Sequence, residues 1–150
     1  MAEQLETGTK APDFESVDQN GNPVKLSDYD GKVRVVYFYP RDNTPGCTKE
    51  ACNFRDNYEE YEKNGIKVFG ISVDSEKSHK NFADKYELNF TLVADKSKEI
   101  SEKYGVLGVS SARRVTYLID REGTIAHVYP KVSPKEHATE VLKKIEELGL

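Results

Sequence analysis

Apolar residues follow two different periods along this chain, and stretches of the two periods alternate. Short runs rich in β-branched and aromatic residues, which are typical of buried strands, cover positions 14–17, 24–26, 33–39, 66–73, 91–94, 115–119 and 124–129. Between several of these runs the apolar residues recur every three or four positions, as they do on one face of a helix. The pattern therefore predicts strands that alternate with helices.

The longest predicted helix begins near Cys47 and ends near Gly65, since glycine commonly follows the last turn of a helix. At helical spacing it carries four apolar residues, Ala51, Phe54, Tyr58 and Tyr61. Cys47 is therefore expected in the first turn of a helix, directly after the strand over 33–39.

The other helices are bounded by similar signals. Ser75 is expected to cap a helix that runs to about Glu87, and a short helix over 97–104 is expected to stop at Gly105. Ser133 is expected to cap the last helix. The apolar stripe of this helix has the period of a helix docked on a sheet and comprises Ala138, Val141, Leu142, Ile145 and Leu148.

The order of elements indicates the fold class. The dipeptide Asn20-Gly21 between the first two strands is a hairpin signal and predicts an N-terminal β-hairpin extension. Alternating strands and helices, followed by a second hairpin and a last helix, favour a thioredoxin-like α/β sandwich with a central mixed sheet flanked by helices. A length of 150 residues with 37% hydrophobic content suits one domain over 1–150.

Composition excludes several classes of partner. The formal net charge is −4 and the basic residues are interspersed with acidic ones, so there is no basic surface for nucleic acid. No run approaches the roughly 18 apolar residues of a membrane span, and residues 1–10 are polar, so a soluble cytoplasmic protein is expected. In a reducing compartment, two cysteines are more often catalytic than structural.

Cys47 occupies a position that can make a thiol reactive. In the first turn of a helix the backbone N–H groups lack intrahelical partners, and the positive end of the helix dipole favours a thiolate over a thiol. The alternative for a lone cysteine is a small buried hydrophobe.

Cys52 lies five positions after Cys47, which in a regular helix means about 140° of rotation and about 7.5 Å of rise. The two Cα atoms would then be about 8.7 Å apart, beyond the roughly 7 Å that a disulfide allows. An intact helix therefore implies two free thiols, and a disulfide between them would require local unwinding. Cys52 shares its side of the helix with Arg55, Asp56 and Glu59 and is expected to face solvent.

An ordered set of motifs resembles the peroxiredoxins, specifically the bacterioferritin-comigratory or PrxQ type. The resemblance covers nearly the whole chain and is highly specific as a set. Its motifs are Ala11-Pro12-Asp13-Phe14, Leu26-Ser27-Asp28-Tyr29, Tyr37-Phe38-Tyr39-Pro40, Thr44-Pro45-Gly46-Cys47-Thr48-Lys49-Glu50-Ala51-Cys52, Gly70-Ile71-Ser72-Val73-Asp74 and Arg114-Val115-Thr116-Tyr117-Leu118-Ile119-Asp120.

The resemblance implies a thiol peroxidase that serves antioxidant defence without a metal or organic cofactor. Cys47 would attack hydrogen peroxide or an organic hydroperoxide and become a sulfenic acid, which Cys52 would resolve as an intramolecular disulfide. Thioredoxin or a similar dithiol protein would reduce that disulfide. By the same match Pro40 would shield the thiolate, Thr44 would bind the peroxide, and Arg114 would hold the thiolate and polarise the O–O bond. A monomer is expected, although dimers occur among relatives.

Three of these residues have plain structural alternatives. Thr44 followed by Pro45 also fits an ordinary helix cap with proline in the first helical position. Neighbouring residues entering a strand face opposite sides, so only one of Arg113 and Arg114 can point at Cys47, and the family pattern alone selects Arg114. Glu50 could orient that arginine or simply complement the helix dipole.

Two other functions stay open. A thioredoxin-like dithiol oxidoreductase is disfavoured, since such proteins usually carry C-x-x-C and a facing cis-proline, whereas this chain has C-x4-C and no proline over 109–115. A non-enzymatic redox switch could use the same cysteine pair. The three histidines, His79, His127 and His137, are scattered without metal-ligand spacing, and His79 shares a helical stripe with apolar residues, which favours packing.

Overall fold

The computed structural model describes residues 4–150 and contains one seven-stranded sheet with helices on both faces. In chain order the elements are β1 (Glu15–Asp18), β2 (Pro23–Lys25), a 3₁₀ helix (Leu26–Tyr29), β3 (Arg34–Phe38), α1 (Pro45–Lys63), β4 (Lys67–Ser72), α2 (Glu76–Tyr86), β5 (Thr91–Ala94), α3 (Glu99–Lys103), β6 (Val115–Ile119), β7 (Ile125–Tyr129) and α4 (His137–Glu147). The predicted strand-helix order is confirmed, with shifts of one or two residues at most boundaries.

The strands lie in the order β2-β1-β5-β4-β3-β6-β7. β3, β4 and β5 are parallel and are joined by the helical crossovers α1 and α2, whereas β1, β2, β6 and β7 pair antiparallel with their neighbours. The expected N-terminal hairpin is present. It continues the sheet itself, because β1 pairs with β5.

Strand β3 lies at the centre of the core and is buried on both faces. Val35, Tyr37 and Tyr39 belong to the cluster that packs under α1, α2 and α4, whereas Val36 and Phe38 belong to the cluster on the other side of the sheet, with α3. Cys47 is part of the first cluster. This arrangement confirms the predicted thioredoxin-like sandwich, and it places the start of α1 over the end of β3.

The last helix begins later than its serine cap predicts. The N–H of Glu136 donates to the carbonyl of Ser133 at 3.2 Å, so the chain makes one turn there, and α4 starts only at His137. Leu148 follows the end of α4 and is 44% exposed, so it lies outside the predicted buried stripe. The prediction failed because Ser133 stabilises a turn as readily as a helix start.

The short helix α3 also starts later than expected and uses a different cap. The carboxylate of Asp95, at the end of β5, accepts from the N–H groups of Ile100 at 3.0 Å and Ser101 at 2.8 Å. A carboxylate that binds these two N–H groups does the work of a capping side chain from outside the helix. Within residues 4–150 no helix is long and apolar enough to cross a membrane.

Candidate active site

Cys47 is the third residue of α1 and its side chain is almost fully buried. Pro45 opens the helix, where its missing N–H costs nothing. The first N–H of the helix with a backbone acceptor is that of Thr48, which donates to the carbonyl of Thr44 at 2.8 Å. The N–H groups of Gly46 and Cys47 precede it, so they remain available at the positive end of the helix.

Arg114 contacts the sulfur of Cys47 directly. Its Nη2 lies 3.1 Å from Sγ, and its Nη1 donates to Oε1 of Glu50 at 2.6 Å. Glu50 stands one helical turn after Cys47, which places the two side chains on the same side of α1. Arg113 points away and donates to the carbonyl of Gly105. The expectation that Arg114 and not Arg113 faces Cys47 is therefore confirmed.

Glu50 and Arg114 form an ion pair whose two side chains differ in solvent exposure. The side chain of Glu50 has no exposed surface, whereas that of Arg114 is 20% exposed. Burial raises the pKa of Glu50 to about 7, although the neighbouring Arg114 favours its charged form. Burial opposes the charge of Arg114 as well, but Glu50 and Cys47 outweigh it and raise the pKa of the guanidinium. The arginine is thus a permanent cation beside the sulfur, whereas Glu50 changes charge near neutral pH.

Thr44 and Pro40 lie on the turn between β3 and α1, and both are half-buried. Thr44 has the extended backbone of an N-cap, yet its side chain does not cap the helix. Its hydroxyl donates instead to the carbonyl of Arg41 at 3.1 Å. The side-chain capping interpretation of Thr44 is therefore wrong. The side chain of Pro40 has no polar group.

Cys52 is half-buried, whereas Cys47 is buried, and both are free thiols in this structure. The helix α1 runs unbroken from Pro45 to Lys63 through both residues. This confirms that an intact helix leaves two free thiols. A disulfide between them requires the first two turns of α1 to unwind, because the helix holds the two Cα atoms too far apart.

Two polar side chains near this site carry no signal in the local sequence. His137, the first residue of α4, is fully buried and has Nε2 2.7 Å from Oγ1 of Thr116. Burial and the charge of Arg114 lower the pKa of His137 to about 4, so its ring is neutral. Tyr37, on β3, has a buried hydroxyl with no hydrogen-bond partner among the described residues. Burial raises its pKa, as do Glu50 and Cys47.

The comparisons with known proteins agree with this geometry. Residues 7–128 match the model of the AhpC/TSA family. The chloroplastic peroxiredoxin Q of Sedum lineare is 47% identical over 145 residues, which cover 94% of this chain and 78% of that protein.

Two solved structures share the fold over nearly their whole length. Peroxidoxin BcpB from Mycobacterium tuberculosis superposes with a TM-score of 0.90 at 32% identity and covers 96% of this chain and 98% of its own. The bacterioferritin comigratory protein of Xanthomonas campestris, studied for its alkyl peroxide reduction activity, superposes with a TM-score of 0.89 at 31% identity, covering 95% and 98%. With the Cys47–Arg114 contact at the start of α1, these matches establish that the chain belongs to the AhpC/TSA family, as a peroxiredoxin of the bacterioferritin-comigratory (PrxQ) type and thus a thiol-dependent peroxidase.

Proposed function

We propose that Cys47 is the peroxidatic residue and that it reduces hydrogen peroxide and alkyl hydroperoxides. The thiolate attacks the terminal oxygen of the peroxide, so that an S–O bond forms as the O–O bond breaks. Cys47 becomes a sulfenic acid, and the leaving oxygen takes a proton to give water or an alcohol. The observation that carries this proposal is the 3.1 Å contact between Nη2 of Arg114 and the buried sulfur. The alkyl peroxide activity studied for the Xanthomonas campestris relative supports the second substrate class.

The groups around the sulfur match the charges that develop in this step. The guanidinium of Arg114 and the N–H groups of Gly46 and Cys47 are donors that can bind negative charge on the peroxide oxygens. Thr44 uses its single hydroxyl proton on the carbonyl of Arg41, which leaves its lone pairs to accept from the O–H of the peroxide. We assign to Pro40 the shielding of the thiolate from bulk water.

We further propose that Cys52 resolves the sulfenic acid. Its sulfur attacks the sulfur of Cys47, so that an S–S bond forms and water leaves. The first two turns of α1 must unwind for this step. A thioredoxin-like dithiol protein then reduces the disulfide by two thiol exchanges. Both cysteines lie in one chain, so a monomer suffices, and two working thiols fit the reducing cytoplasm.

The test is a stopped-flow reaction of the reduced protein with a slight excess of peroxide, followed by intact mass and thiol counting. We expect fast loss of both thiols with a mass decrease of about 2 Da, the signature of a disulfide. The Cys47→Ser variant should not react. The Cys52→Ser variant should react at the same first rate and then gain about 32 Da at excess peroxide, as sulfinic acid accumulates.

Three results would contradict the proposal. A reaction of the wild type at the rate of an ordinary free cysteine would show that Cys47 is not activated. Full recycling of Cys52→Ser by thioredoxin would remove the resolving role of Cys52. Rapid oxidation of Cys47 without turnover by any dithiol reductant would favour a redox switch over an enzyme.

A further inference from the structure

A buried polar network fixes the turn that leads from β3 into the peroxidatic helix. The carboxylate of Asp42, only 1% exposed, accepts hydrogen bonds from three side chains. These donors are the hydroxyl of Tyr39 at 2.6 Å, the hydroxyl of Ser78 at 2.8 Å, and Nδ1 of His79 at 2.7 Å. Ser78 and His79 belong to α2, so the network ties the turn to a different helix.

The contacts of His79 determine where its protons lie. Nε2 is 2.9 Å from the carbonyl of Val93, which can only accept, so Nε2 carries a proton. Nδ1 faces the carboxylate of Asp42, and the two groups share a further proton between them. With both ring nitrogens bonded, His79 fixes the carboxylate of Asp42 within the core.

The backbone of Asp42 is held by a hydrogen bond, as its side chain is. The N–H of Asp42 donates to Oδ2 of Asp74 at 2.9 Å, and Asp74 is fixed in turn by the hydroxyl of Ser72 at 2.6 Å. Asp42, Asp74 and His79 bring potential metal-ligand atoms within 4.8 Å of one another. The hydrogen bonds above already account for this grouping.

A second anchor lies just beyond Cys52. Oδ1 of Asn53 accepts from the N–H of Ala138 at 2.7 Å, which fastens α1 to the start of α4. The ring of Phe54 stacks on Tyr37, with ring centroids 4.6 Å apart and planes 7° from parallel. Residues 43–52, which hold both cysteines, thus lie between two fixed points.

We propose that Asp42, held by His79, is a positioning residue that sets the balance between the two chemical steps of the cycle. The inference rests on the proposed resolution of Cys47 by Cys52. Attack on peroxide needs the wound helix, because only there do Arg114 and the free N–H groups surround the sulfur. Disulfide formation needs residues 43–52 unwound. An anchored Asp42 favours the wound form, and it therefore speeds the first step and slows the second.

The experiment compares Asp42→Asn with wild type by rapid quench, alkylation and intact mass, which time sulfenic acid and disulfide separately. The asparagine keeps an acceptor for Tyr39 but loses the charge that binds His79. We expect roughly tenfold faster disulfide formation, the effect of losing one charged hydrogen bond. Oxidation of Cys47 should slow by a smaller factor, because the wound helix is the main form of the reduced wild type. Ser78→Ala, which removes one neutral hydrogen bond to Asp42, should speed disulfide formation by roughly threefold and slow oxidation of Cys47 by a smaller factor.

Asp95→Asn is the matched control, since Asp95 is an equally buried carboxylate that holds α3 and does not touch the turn. It should leave both rates within about twofold of wild type, because the hydrogen bonds of its carboxylate go to α3 and not to residues 42–52. Opposite signs at Asp42 that are absent from Asp95→Asn support the positioning role, because destabilisation elsewhere in the fold does not shift residues 43–52 between their wound and unwound forms. If both steps slow together in Asp42→Asn and Ser78→Ala, or neither changes, the role is overturned. A wild type that oxidises Cys47 but forms no disulfide would instead refute the resolving role of Cys52, and this inference with it.

Discussion

Replacement of Glu50 by glutamine should change how the stability of the reduced protein depends on pH. Glu50 is fully buried, Nη1 of Arg114 binds its Oε1 at 2.6 Å, and its Oε2 has no hydrogen-bond partner within the described part of the chain. Burial raises its pKa from 4.5 to about 7. The folded state therefore binds a proton at pH values where the unfolded chain has released it.

Because its pKa is raised in the folded state, Glu50 makes the protein less stable as the pH rises. The stability that Glu50 contributes is fully present below pH 4.5 and is lost as the pH rises through about 7. A pKa raised from 4.5 to about 7 corresponds to about 3 kcal/mol of unfolding free energy. His137 acts in the opposite direction, because its pKa is lowered from 6.5 to about 4 and its contribution is lost as the pH falls. Between about pH 4.5 and 6.5 the effects of Glu50 and His137 on the pH dependence of stability therefore offset each other in the wild type.

The assay is urea unfolding followed by circular dichroism, from about pH 4.5 to about pH 8, with a reductant that keeps both cysteines as thiols. In Glu50→Gln the contribution of His137 is no longer offset by Glu50. The unfolding free energy of the variant should therefore rise with pH more steeply than that of the wild type, up to about pH 6.5. Between about pH 4.5 and about pH 8, the unfolding free energy of the variant should rise by about 3 kcal/mol relative to that of the wild type. Glu59→Gln, at an exposed position of the same helix, is the matched control and should follow the wild-type curve. Parallel curves for Glu50→Gln and wild type would refute the reasoning.

Three further changes test the geometry around the sulfur. Arg114→Ala should slow the reaction of Cys47 with peroxide by about a hundredfold or more in stopped flow, whereas Arg113→Ala should change this rate little. Equal losses of rate in the two variants would mean that the 3.1 Å contact does not contribute to catalysis. Gly46→Ala would place a Cβ 3.1 Å from Nη2 of Arg114, so the same rate should fall several-fold without loss of stability, and an unchanged rate would show that the guanidinium has room to move. Tyr37→Phe removes a buried hydroxyl that has no hydrogen-bond partner among residues 4–150 and should raise the unfolding free energy by about 1 kcal/mol in urea; a clear loss of stability would reveal a hydrogen bond to water or ligand at that oxygen.

The sequence predicted the local features of the fold well, because local features depend on local spacing. The cap at Ser75 is confirmed by its hydrogen bond from the N–H of Ser78 at 3.1 Å, and β5 and β6 lie at their predicted bounds. The prediction failed at Ser133, where a turn and a helix start have the same sequence signal. The capping alternative for Thr44 is also wrong, because its hydroxyl binds within its own turn. Neither outcome can be read from residue type, since the same residues fit more than one hydrogen bond within a span of three positions.

By itself, the sequence determined that Cys47 starts a helix after a buried strand and that Cys52 follows five positions later, because helical rise and rotation depend only on spacing. The tertiary structure alone decided which charges surround the sulfur. β3 and β6 are neighbours in the sheet, and their pairing carries Arg114 to a helix that begins 69 positions earlier in the chain. The burial of Glu50 and the link between Asp42 and His79 arise in the same way. The charges near the sulfur, the raised pKa of Glu50 and the hydrogen bonds of Asp42 all depend on desolvation and long-range contacts, which exist only once the elements have packed.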